Sequence, residues 1–144
     1  MKRMMMVGAL VLGTATLVYA DGKSRIHAGK WHTSVKTDMP GMPFTPPPME
    51  VDRCVSNDEA GDPQKVLKKQ AENCELASFK MDGGHVTYSV TCHQHGGTQT
   101  GVGDFTFTSE SYSGTMTLDM TIPNRGPMKM IQHIQASRTG DCKP

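Results

Sequence analysis

Along the second half of the chain, apolar and polar residues alternate with a period of two. Tyr112, Gly114, Met116, Leu118, Met120 and Ile122 interleave with Ser113, Thr115, Thr117, Asp119 and Thr121. That period belongs to a strand with one buried and one wet face. Met128 to Arg138 repeats it, placing Met128, Met130, Ile134 and Ala136 inside. Nearer the start, Trp31, Thr33, Val35, Thr37 and Met39 alternate with His32, Ser34, Lys36 and Asp38, and Met49 to Cys54 reads as a short returning strand. Gln99 to Thr108 is also strand-like, but Val102 falls on one face and Phe105 and Phe107 on the other. That switch predicts a bulge or sharp bend at Gly103.

The most constrained stretch runs from Cys74 to Cys92. Two strand-like runs flank Asp82-Gly83-Gly84-His85, and Gly-Gly suits a two-residue turn of type I′. The register then pairs Met81 with Val86 and Phe79 with Tyr88, apolar against apolar. Continued without a break, it sets Cys74 opposite His93. One extra residue near Ala77-Ser78, a β-bulge, restores the face: Leu76 meets Val90 and Cys74 meets Cys92.

Breakers separate these runs. Met39-Pro40-Gly41-Met42-Pro43 ends the first strand, and Pro46-Pro47-Pro48 favours polyproline II. Ser56 to Glu72 is the one helical candidate, with Asp62 as cap and Pro63 at the first helical position. Gly96-Gly97, Ser109-Glu110-Ser111 and Pro123-Asn124-Arg125-Gly126 mark turns. Short consecutive connections favour an antiparallel meander. The expected fold is mainly β: a strongly curved sheet or small barrel with one short helix.

The chain opens Met1-Lys2-Arg3, followed by an apolar run from Met4 to Val18 and then Tyr19-Ala20. This reads as a signal peptide over 1–20, too short for a membrane span. Residues 21–28 are polar and expected to be flexible, leaving 29–144 as a single disulfide-bonded domain. Without Lys2 and Arg3, the fifteen basic residues fall to thirteen against fourteen acidic. A net charge near −1 offers nothing to attract nucleic acid, and no second apolar run is long enough to span a bilayer. All four cysteines, Cys54, Cys74, Cys92 and Cys142, lie beyond the leader. An even count in an exported chain favours disulfides. The hairpin register selects Cys74–Cys92 and leaves Cys54–Cys142. A periplasmic or secreted location follows.

Chemistry is sparsely signalled. Cys92-His93-Gln94-His95 and the eight methionines beyond the leader invite a copper site, with Met39, Met42, His93 and His95 as candidate ligands. Against it, Cys92 is claimed by the hairpin. Met116, Met120, Met128 and Met130 lie on a face that must be buried, where methionine fills gaps. The glycines from Gly97 to Gly103 precede no helix, so they make no phosphate loop. No spacing singles out a catalytic triad, and no enzyme or cofactor is expected. A curved sheet rich in methionine and poor in large aromatics on its concave face would leave a groove for an apolar ligand. An exposed sheet edge would instead offer an envelope partner a docking strand.

Gly29-Lys30-Trp31, Met39-Pro40-Gly41-Met42-Pro43 and Cys54 resemble the opening of the bacterial exported domain-of-unknown-function family 3617. The resemblance continues through Cys74, Phe79, Cys92, Gly96-Gly97, Gly101-x-Gly103, Tyr112-Ser113-Gly114 and Arg138-Thr139-Gly140-Asp141-Cys142. Ala28 and His32 depart from it, where the family usually carries a proline and an acidic residue. The resemblance implies an exported, disulfide-bonded, β-rich bacterial protein and carries no activity or catalytic residue with it. The expected function is therefore non-enzymatic binding of a small apolar ligand or an envelope protein, with the metal reading as the alternative.

Overall fold

The computed structural model describes residues 26–70, 73–94 and 96–143. The expected leader, 1–20, lies outside them. Seven strands form one antiparallel sheet: β1 (Gly29–Asp38), β2 (Met49–Val55), β3 (Cys74–Asp82), β4 (His85–Gln94), β5 (Gly97–Phe107), β6 (Ser111–Ile122) and β7 (Gly126–Gly140). Their order is β2-β1-β7-β6-β5-β4-β3. From β3 to β7 the chain is an uninterrupted meander, and β1 then pairs with β7. The sheet does not close, so β2 and β3 are its two edges.

Two helices, α1 (Asn57–Gly61) and α2 (Pro63–Gln70), link those edges. The sequence suggested one helix here, and Asp62 explains the division. It ends α1 in a non-helical conformation (φ −141°, ψ 87°), and its carboxylate accepts from the Lys65 amide at 3.1 Å, capping α2. A capping box starts α1: Ser56 accepts from the Glu59 amide, and the Glu59 carboxylate accepts from the Ser56 amide at 3.1 Å. Neither helix is long enough to stand alone in water.

The β3–β4 hairpin has the register expected from the pattern. Met81 faces Val86, Phe79 faces Tyr88, Leu76 faces Val90 and Cys74 faces Cys92, with the register shift between Leu76 and Ser78. At the turn only Gly83 has a positive φ, +58°. That is the pattern of type II′ rather than type I′. Cys74 is bonded to Cys92 and Cys54 to Cys142, with Cα separations of 3.9 and 5.7 Å. The first bond joins the β3 strand that follows the helices to β4, and the second joins the β2 strand that precedes them to the segment after β7.

The bend expected at Gly103 is absent. β5 pairs with β4 and β6 in unbroken register. Gly101, Gly103 and Phe105 face inward and are buried, while Val102 points outward and is 55% exposed. The pattern misled because glycine was not counted as an inward residue. Its missing side chain is what the packing needs: a Cβ on Gly103 would collide with the Tyr88 ring, and one on Gly114 with the backbone of Asp104 and Phe105.

Ile26 and Ala28, in the stretch expected to be flexible, pack against a cluster of Trp31, Val55, Ala60 and Ala136. The His27 amide donates to the Ser109 carbonyl at 2.8 Å, and Trp31 Nε1 donates to the His27 carbonyl at 3.0 Å. Arg138 Nε holds the same segment by donating to the Ala28 carbonyl at 2.8 Å.

Replacing Gly103 with valine should overpack the inner face and cost about 1–3 kcal/mol. Chemical denaturation would then show a lower midpoint for Gly103→Val, whereas Val102→Thr on the outer face should leave the midpoint nearly unchanged.

Candidate functional site

The inner face of the sheet and the helices line an open-mouthed cavity of about 470 Å3. Every strand contributes. Trp31, Thr33 and Val35 come from β1, Met49, Val51, Arg53 and Val55 from β2, and Met81 from β3. Val86 and Tyr88 come from β4, Phe105 and Phe107 from β5, Tyr112 from β6 and Ile134 from β7. Glu59, Pro63 and Leu67 close it from the helical side. Strand alternation explains the set: on each strand the lining residues lie two apart on one face.

Aromatic rings form the floor. Trp31 lies 5.6 Å from Tyr112, Tyr112 5.3 Å from Phe107, Phe107 6.2 Å from Phe105 and Phe105 6.0 Å from Tyr88, centroid to centroid. These separations suit attractive ring contacts. The sequence holds four Phe, three Tyr and one Trp, and five of those eight line this cavity. The expectation of a concave face poor in large aromatics is therefore corrected. The rings come from four strands, and only the fold brings them into one row. The methionines expected to complete a buried core, Met116, Met120, Met128 and Met130, are on the inner face but only half-buried.

The polar ends of the aromatic residues are occupied. Trp31 donates to the His27 carbonyl, the Tyr88 hydroxyl donates to Met116 Sδ at 3.4 Å, and the Tyr112 hydroxyl lies 3.5 Å from Thr33 Oγ1. Among the described residues, no buried side-chain polar atom lacks a partner. Arg53 and Glu59 are the only charged side chains on the lining among the described residues, and they face each other at 3.5 Å. A strongly polar molecule would find few unpaired groups here and would lose its own hydration on entering.

Among the described residues, the candidate metal ligands Met39, Met42 and His93 form no group suited to a metal. Met39 follows the end of β1, half-buried, and Met42 is exposed in the same loop. His93 is exposed on β4. Three strands, β7, β6 and β5, lie between β1 and β4 in the sheet. His95 lies outside the described residues. No group of three or more His, Cys, Asp or Glu side chains suited to a metal occurs among the described residues.

On the outer face, histidines pair with carboxylates across strands. His32 lies 2.8 Å from both Glu50 and Asp52, His85 2.7 Å from Asp104 and His133 3.0 Å from Asp38. The Asp52 hydrogen bond, chiefly, holds the His32 pKa above its ordinary value, and the same bond holds that of Asp52 below its own. This face is wet and ionic where the other is apolar.

The fold and site define an open, curled β-sheet with a helical strap over an apolar cavity. The chain belongs to the family DUF3617, whose description is a protein of unknown function, and the family match covers residues 26–142. No curated protein and no solved structure matches the chain.

Burial, and secondarily Tyr112, pushes the Tyr88 phenol up to about 12, against about 10 for a free tyrosine. The folded state thus holds this proton more tightly than the unfolded chain. Its stabilising contribution is complete below about pH 10 and is lost as pH rises through about 12. Thermal melts across this range should show a fall that is smaller in Tyr88→Phe. Ultraviolet titration should show the last tyrosinate step missing in that variant.

Proposed function

We propose that the protein binds a small apolar molecule, without catalysis, in the cavity between the curled sheet and its helical strap. The observation that carries this reading is the 470 Å3 space with an aromatic floor and aliphatic walls. Its size falls within the range of about 300–1,000 Å3 of small-molecule sites. Its two charges are directed at one another, which leaves shape and apolar contact to select the ligand. The two disulfides fit an oxidising compartment, and no described helix is long and apolar enough to cross a membrane. With the leader read from the sequence, we infer a periplasmic or secreted protein of bacterial origin.

Trp31, the sole tryptophan, lines the cavity, so it reports occupancy. Titration with N-phenyl-1-naphthylamine should enhance the probe's emission and perturb that of Trp31 together, with saturation. Val35→Phe and Ile134→Phe, which fill the space, should each weaken binding by about tenfold. Absence of saturable binding, or binding indifferent to both substitutions in folded protein, would refute the proposal.

A further inference from the structure

Five large apolar residues are conspicuously exposed among the described residues: Met42 at 36%, Phe44 at 57%, Met49 at 56%, Val51 at 41% and Val102 at 55%. Four of them fall within ten consecutive positions, in the loop from β1 to β2 and on β2 itself. Met49 and Val51 also line the cavity. The exposed cluster is therefore continuous with the cavity wall.

The loop's chemistry narrows what can cover it. From Met39 to Met49 there is no charged residue, and five positions, Pro40, Pro43, Pro46, Pro47 and Pro48, are proline. A proline has no N–H, so this irregular backbone carries few donors that would be stranded on leaving water, where each would cost free energy. Gly41, at φ +86°, and the Met42 amide, which donates to the Met39 carbonyl at 3.1 Å, fix a turn that presents Met42 outward. The flanking acids are engaged: Asp38 faces His133 at 3.0 Å, and Glu50 faces His32 at 2.8 Å and Ser34 at 2.9 Å.

We propose that this loop and the start of β2 form the face by which the protein meets a lipid bilayer, with Met42 and Phe44 inserted at the level of the headgroups. A charge-free, donor-poor, apolar loop matches that environment. With no basic cluster on it, attachment does not depend on anionic lipid. The proposal extends the cavity reading, since an apolar ligand would pass between bilayer and cavity along Met49 and Val51. The surface can nonetheless be tested independently of any ligand.

The oxidised mature chain should co-float with phosphatidylcholine vesicles, and the bound fraction should change little between about 50 mM and 500 mM salt. Met42→Ser combined with Phe44→Ser should lower vesicle affinity by about tenfold or more. That variant should still bind N-phenyl-1-naphthylamine in vesicle-free solution. Val102→Ser, on the outer face, should float as the parent does. In Phe44→Trp, the new tryptophan should be quenched by brominated lipid. No flotation of the parent chain, flotation unchanged by the double substitution, or an equal loss in Val102→Ser would overturn the proposal. So would absence of quenching with capture of the proline-rich loop by a protein groove instead. Loss of probe binding in the parent with flotation intact would sink the cavity reading and leave this one standing.

Discussion

The structure depends on how an open sheet is kept from exposing its inner face. β2 and β3 are both edges, and no hydrogen bond joins them into a barrel. The chain between them is two short helices, which have little stability of their own. Cys54 on β2 and Cys74 on β3 bracket this segment; Cys54 is bonded to Cys142 in the segment after β7, and Cys74 to Cys92 on β4. The two bonds span 18 and 88 residues, worth about 3 and 4–5 kcal/mol respectively in the chain-entropy model. The strands at either end of the helical strap are thus fixed by covalent bonds, and its middle is held by Ala60, Pro63 and Leu67. Without that cover, the aromatic floor would face water.

A fold fastened in this way can keep a space open. The lining is not free to collapse. Tyr88 and Tyr112 are tied by their hydroxyls to Met116 and Thr33, and Trp31 by its indole to the chain before β1. These bonds orient the rings as walls rather than as filler. The inward glycines of β5 and β6 let Tyr88 and Phe105 lie flat against the sheet.

Much of the architecture was legible in the sequence because strand alternation is local. The β3–β4 hairpin was readable to the level of its bulge, since Leu76, Phe79 and Met81 could share the cysteine face only with one extra residue. The same reasoning misread β5, where Gly101 and Gly103 occupy inward positions and Val102 the outer one. Hydrophobicity identifies an inward residue by what it buries and is blind to one chosen for being small. The Ser56-x-x-Glu59 capping box was present in the sequence and would have revealed α1. The cavity itself was only partly foreseeable. Its five aromatic residues are spread from Trp31 to Tyr112, and nothing short of the strand order places them side by side.

The sheet edges, the other candidate binding surface, are poorly suited to receive a strand. β2 is preceded by Pro46-Pro47-Pro48 and carries Glu50, Asp52 and Arg53, so an added strand would have to accommodate charges along it. β3 is interrupted at Ala77 by its bulge and carries exposed Glu75 and Lys80. Bulges and charges are the usual means by which a sheet prevents its edge from templating another chain. The outer face is no better, being covered with His–carboxylate pairs that are satisfied across strands. Among the described residues, the exposed large apolar side chains then fall mainly in the loop and the start of β2 that continue the cavity wall, with Val102 alone on the outer face. The aromatic rings of four strands are concentrated on the inner surface and not spread over both faces of the sheet.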